Sequence, residues 1–389
     1  MWTQKSSRIL LLVTFGAVSC GSSSPDSSGA TGGNSGSGGT LGSGGGVVSS
    51  GGIGSVGTGT GGAPPSGSGG TQMTASSGGA TAGTSGAAGQ PGLNGTGGGS
   101  AGGTLATDPG TTGDGDSMIS SPFRAVPEFG VVAGVAKGRR MSFSMSNAAS
   151  KYYPGGSRQV TVYIPVGYVD NTPAPVLVVQ DGSQFGPEVM NVMDNLIAAN
   201  KIPKLLGVMI DPGANRSGEY DTVSDVYFRF VTEEVLPRVQ TDYKVMFTTD
   251  PQGRGALGGS SGAPAAMGMA WFGDFRRVLT YSGTFVNLRP STMYPHGAWE
   301  YGENLIPMSA VVPGLRIFLE VGSNDNGATA TAASFRSWPL GNMALAAALK
   351  AKGYHYKFIY AVGAGHEDIG VRGQTMPEAM QWLWQGYPK

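Results

Sequence analysis

Apolar residues along this chain change their spacing near Ile119. From Gly21 to about Ser117 they are isolated among Gly, Ser, Thr and Ala and mark out neither a helix nor a strand period. Beyond it they fall into alternations and compact runs. "RQVTVYIPVGY" (Arg158–Tyr168) alternates Val162, Ile164 and Val166, the pattern of a half-buried strand. "APVLVVQD" (Ala174–Asp181) and "LLGVMID" (Leu205–Asp211) are nearly continuous apolar runs, which suit strands buried on both faces of a parallel sheet. "GRGALGG", "RRVLTYSG", "LRIFLEVG" and "YHYKFIYAVG" read as further strands. Between them, Glu188–Ala199, "SSGAPAAMGMAWF", Leu340–Lys352 and Met376–Trp384 read as helices. Val223–Tyr243 predicts a longer amphipathic helix, with Val226, Phe230, Val235 and Val239 inward and Glu233, Glu234 and Arg238 outward. Strand and helix alternate throughout. The pattern predicts an α/β fold over residues 118–389: a doubly wound, mostly parallel sheet of about eight strands with helices on both faces.

Composition explains the silent first third. Glycine accounts for 68 of 389 residues, and the excess lies before residue 118. No Lys, Arg, His or aromatic residue occurs between Gly16 and Pro122. Such a segment buries too little apolar area to offset the entropy of ordering it. Residues 20–117 are therefore expected to form a flexible tether, with an end-to-end distance of about 50–60 Å. It shows no fixed period, which excludes collagen and solenoid repeats.

Charge narrows the partners. Twenty-five basic residues balance 25 acidic ones, and no basic patch offers itself to nucleic acid. The expected partner is a small molecule or a neutral polymer.

Lys5 and Arg8 precede an apolar core of about ten residues, "ILLLVTFGAV", too short for a bilayer span of about twenty. Directly after it, "AVSC" resembles a bacterial lipobox. The resemblance implies a signal peptide over residues 1–19, cleavage before Cys20 and a diacylglyceryl group on its sulfur. It would make the protein an exported lipoprotein, anchored in a membrane and facing the periplasm or the cell surface. Cys20 is the sole cysteine, which excludes disulfides within the chain and zinc–thiolate sites.

The pentapeptide G-x-S-x-G occurs twice, around Ser100 and around Ser260. It marks a nucleophile elbow only where a strand enters it and a helix leaves it. Ser100 has neither and matches through tether composition alone. Ser260 sits between the strand "GALGG" and a helix beginning "GAPAAM", so it is the candidate nucleophile. Gly258 and Gly262 suit the tight turn, and the Ser261 N–H at the helix start is a natural oxyanion donor. A second donor is expected from "VVQDGSQF", the N–H of Gly182 or of Ser183.

A serine hydroxyl needs a base, and there are three histidines. His355 lies inside a strand pattern and His296 in the loop "MYPHGAWEYG". His366, in "GAGHED", follows the C-terminal end of a strand, the edge where open α/β sheets bind ligands. It is the candidate base. The acid should fall between serine and histidine in the chain, on another strand-end loop. Asp325 in "EVGSNDNG" fits. Glu300 and Glu303 are alternatives, while Glu320 lies within a strand, Asp274 in the turn after the elbow helix, and Asp368 too near His366.

From about Gly155 onward the chain resembles the esterase D and enterochelin-esterase-like branch of the α/β hydrolases, which includes feruloyl and acetyl esterases. The matching pieces are "VTVYIPVGY", "PVLVVQDG", "NRSGEY", "EEVLPRVQTDY", "GALGGSSGA", "FRRVLTYSG", "RIFLEVGSND", "ALKAKGYHYKF" and "GAGHE", in family order. The resemblance implies Ser260 as nucleophile, Asp325 as acid and His366 as base, with no metal or cofactor. It places "NRSGEY" at the mouth of the site, where Arg216 either contacts an anionic or polyhydroxyl substrate or pairs with Glu219. One departure is Ala263, where the family often has a second glycine. The implied activity is ester hydrolysis through an acyl-enzyme. The implied substrate is a siderophore ester, or an acyl or feruloyl ester of a carbohydrate. A non-catalytic surface-binding lipoprotein and an acyltransferase are the competing readings.

Overall fold

The computed structural model describes residues 111–389. The residues read as an export signal, Cys20, Ser100 and the part of the expected tether up to residue 110 lie outside the described residues. The strands are β1 (Gly115–Ser120), β2 (Arg139–Ser146), β3 (Ser157–Ile164), β4 (Pro173–Ala174), β5 (Val176–Gln180), β6 (Leu206–Ile210), β7 (Met246–Phe247), β8 (Arg254–Gly259), β9 (Arg277–Tyr281), β10 (Arg316–Gly322) and β11 (His355–Val362). Nine of them form one sheet in the order β1-β11-β10-β9-β8-β5-β6-β3-β2, and β4 pairs with β7 apart from it. Every pairing from β1 across to β6 is parallel. Those of β6 with β3 and of β3 with β2 are antiparallel.

Two apolar layers enclose the sheet. Along β5, Val176 and Val178 face one layer while Leu177 and Val179 face the other. The first layer is built on the helices around Phe230, Ala266 and Leu345, the second on those around Val192 and Met380. This double cover is why the central strands read as apolar runs.

Five expectations shift. The domain begins earlier than residue 118: β1 starts at Gly115, inside the stretch assigned to the tether, and pairs with β11 through backbone groups that need no apolar side chains. β2, "RRMSFSMS", adds an antiparallel edge strand, so the sheet exceeds eight strands. The first helix starts at Gly182 rather than Glu188, and the last at Ile369 rather than Met376, where the Asp368 side chain caps the Gly370 and Val371 N–H groups. The helix over 226–243 contains a π-helical turn, Val231–Val235. Its inward face includes Tyr227 and Val231, which are buried, while Val226 is only half-buried.

Candidate active site

The chain order reverses between neighbouring strands β5 and β8, and the loops leaving them carry Asp181-Gly182 and Ser260. A crevice at such a switch point is where doubly wound sheets bind ligands. Ser260 turns sharply from β8 into the helix Gly262–Trp271, with φ at 48°. A non-glycine residue holds that left-handed angle only when its surroundings impose it. Here the Ser260 N–H donates to the Tyr281 carbonyl at 3.0 Å. The Ser260 carbonyl accepts from Ala263 N–H at 3.1 Å and from Thr284 N–H at 3.0 Å. A Cβ on Gly258 would lie 2.1 Å from the Gly262 carbonyl oxygen, so strand and helix pack too closely for any side chain there. The Ala263 methyl is fully buried in the core.

His366 follows β11 on a Gly-Ala-Gly turn. Its Nε2 lies 2.9 Å from Ser260 Oγ, and its Nδ1 lies 2.6 Å from Asp325 Oδ1. These distances suit an Nδ1–H donated to the carboxylate and an Nε2 that accepts from the serine hydroxyl. Asp325, just past β10, has a fully buried side chain, and Oδ1 also accepts from Asn326 N–H at 2.6 Å. Its Oδ2 is buried without a partner among the described residues. Trp338 meets the His366 ring edge-on, centroids 6.2 Å apart, and donates its indole N–H to Thr284 Oγ1 at 3.2 Å. Thr284 Oγ1 in turn lies 3.5 Å from Ser260 Oγ.

The alternative residues are engaged elsewhere. Glu300 and Glu303 face His296, Asp274 pairs with Arg254, and Asp368 caps a helix. His355 is held by Asp114 through Nδ1 at 2.8 Å. Glu320 is buried in the sheet, which pushes its carboxyl well above the usual carboxylate range, with the neighbouring Asp325 charge adding to the effect.

The Ser261 N–H has no protein partner among the described residues and opens the helix Gly262–Trp271. Of the two second donors left open by the sequence, Ser183 is occupied: its N–H donates to Asp211 Oδ1 at 2.6 Å. Gly182 N–H has no such partner among the described residues. Gly182 tolerates no side chain, because a Cβ would lie 2.5 Å from the Met209 carbonyl carbon. The preceding residue, Asp181, is left-handed, with φ at 53°.

Arg216 does not pair with Glu219. It grips the buried Asp181 carboxylate through Nε and Nη2, each at 2.7 Å. Glu219 is taken by buried Arg158, at 2.7 and 3.2 Å, and by the Gly213 N–H. Reading the sequence missed Thr284, Trp338, Asp181 and Asp211 as parts of this site. Asp211 carried a signal, an acid at the end of an apolar strand. Thr284 and Trp338 carried none, since their contacts join distant segments.

A doubly wound sheet with a strained serine at a strand–helix elbow, and a histidine and a buried aspartate on later strand ends, defines an α/β hydrolase. Residues 151–371 match the sequence profile of the Esterase family, and the chain belongs to that family. It is a carboxylic ester hydrolase. It is similar to the uncharacterized protein YbbA of Bacillus subtilis, 25% identical over 192 residues, covering 44% of this chain and 71% of YbbA. Among solved structures it is similar to the ferulic acid esterase AmCE1/Fae1A of the anaerobic fungus Anaeromyces mucronatus. That match has 15% identity, covers 70% of this chain and 100% of that one, and has a TM-score of 0.52. The enterobactin esterase of Shigella flexneri matches at 21% identity over 68% of this chain, with a TM-score of 0.50; the chain spans 62% of that enzyme. At these identities the likeness to solved structures is one of fold.

Proposed function

We propose that the protein is an exported serine esterase that works through an acyl-enzyme on Ser260. One observation carries the reading: His366 bridges the Ser260 hydroxyl and the buried Asp325 carboxylate. His366 Nε2 takes the Oγ proton as the oxygen attacks the ester carbonyl, and Asp325 stabilises the imidazolium that results. The Ser261 and Gly182 N–H groups receive the charge that develops on the carbonyl oxygen. His366 then protonates the departing alkoxide, and water, activated by the same imidazole, releases the acid and restores Ser260. The substrate class is an acyl or feruloyl ester of a carbohydrate, or a siderophore ester. Its support is the resemblance of the motifs together with the ferulic acid and enterobactin esterases among similar folds. Export and lipid anchoring rest on "AVSC" and the apolar segment before it.

Hydrolysis of p-nitrophenyl acetate by the full chain tests the chemistry. Ser260→Ala should lower kcat by about 10⁴-fold or more, whereas Ser100→Ala should leave it unchanged. Equal turnover by Ser260→Ala and the parent would overturn the assignment. A panel of methyl ferulate, acetylated xylan and a catecholate siderophore ester then ranks the substrates.

A further inference from the structure

We propose that His296, Glu300 and Glu303 bind a first-row divalent cation, with Zn²⁺ as the ion that fits their chemistry. The site is separate from the Ser260 chemistry and does not depend on it. The three residues lie on the connection from β9 to β10, spaced by four and then three positions, so that helical turns bring them to one side. His296 Nδ1 is 2.7 Å from Glu303 Oε2 and 3.7 Å from Glu300 Oε1, and one ligand atom from each residue lies within 4.8 Å of the others. Ligands bound to a tetrahedral Zn²⁺ at about 2.0–2.1 Å sit roughly 3.3 Å apart, so small side-chain rotations complete the set. Three protein ligands leave the fourth position to water.

Charge supplies the second argument. Three other buried carboxylates face a guanidinium, Glu219 with Arg158, Asp194 with Arg140 and Asp181 with Arg216, while Asp325 faces His366. Glu300 is 96% buried at its side chain, yet among the described residues neither it nor Glu303 has a Lys or Arg partner. One imidazole is set against two carboxylates. A buried carboxylate is stable when it is paired or coordinates a metal, and a divalent cation balances this group. The supports are also in place. The His296 ring stacks on Phe335, with centroids 3.7 Å apart and planes 14° apart. Glu300 Oε2 accepts from the Asn304 amide, and Oε1 accepts from the His296 N–H. Such outer contacts fix ligands before the ion arrives. A mixed imidazole–carboxylate set favours Zn²⁺ over Ca²⁺, which prefers oxygen ligands alone.

The full chain, stripped with a chelator and dialysed, is titrated with ZnCl₂ in a calorimeter. One equivalent is expected to bind, and His296→Ala and Glu303→Gln should each raise Kd at least tenfold. Glu303 is half exposed, so its variant keeps the fold even if loss of the ring stack disturbs it. Three results would overturn the proposal: no stoichiometric binding by the parent, binding unchanged in both variants, or binding lost in His366→Ala but kept in His296→Ala. The last would place the ion at the serine instead.

Discussion

Thr284 holds Ser260 at two points: its N–H donates to the Ser260 carbonyl at 3.0 Å, and its hydroxyl lies 3.5 Å from Ser260 Oγ. The indole N–H of Trp338 donates to that hydroxyl and fixes its position beside the serine. Thr284→Val keeps the backbone bond and removes the hydroxyl. A bond of about 1 kcal/mol is lost, so kcat should fall roughly fivefold with little change in KM. Trp338→Phe should give a drop of similar size. Steady-state kinetics on p-nitrophenyl acetate measure both, and an unchanged kcat in Thr284→Val would remove the hydroxyl from any positioning role.

Arg216 acts through Asp181, the residue before Gly182. Arg216→Lys replaces two parallel bonds with one, and kcat on a small neutral ester should fall about tenfold. Arg216→Ala leaves the buried carboxylate unpaired and should also lower Tm. An arginine that only contacts substrate would behave differently: KM for anionic esters would move, and kcat on acetate would not.

Gly258→Ala should be costly out of proportion to one methyl. The added Cβ meets a backbone carbonyl at 2.1 Å, where no side chain can swing aside. A loss of about 3 kcal/mol in urea unfolding is expected, together with lost turnover. Wild-type stability in this variant would contradict the close strand–helix approach.

Glu320 ties stability to pH. Its carboxyl titrates higher in the folded chain than in the unfolded one, so the folded state binds the extra proton. Stability from this group is present below the unfolded carboxylate range. It is lost as pH rises toward the folded pKa, at about 1.4 kcal/mol per unit. Glu320→Gln removes that slope. Urea midpoints at pH 5 and pH 7 should show the variant gaining on the parent as pH rises. Parallel pH profiles would sink the idea.

Much of the architecture was legible because the central strands are buried on both faces. "VLVVQ" and "RIFLEVG" had to be apolar throughout, and that leaves a strong trace. β1 and β2 lie at the sheet edges, where one side meets solvent and the trace weakens. The serine, histidine and aspartate candidates were found because each follows a strand end, a place defined by chain order. The partners of Arg216 were not. Choosing Asp181 over Glu219 required knowing that Arg158, far away in sequence, already occupied Glu219. Pairing among side chains is settled by the folded geometry, and a single sequence records only the options.

β1 also sets which way the protein presents itself. It runs parallel to β11, and just before it Asp114 is clasped by His355 and by the Trp382 indole, at the start of β11. His366 stands past the other end of β11, and eight strand residues span about 25 Å. The described residues therefore begin at the end of the sheet opposite His366. A load applied along the chain at residue 111 acts on β1 in shear, against the whole ladder it shares with β11, at the end remote from His366.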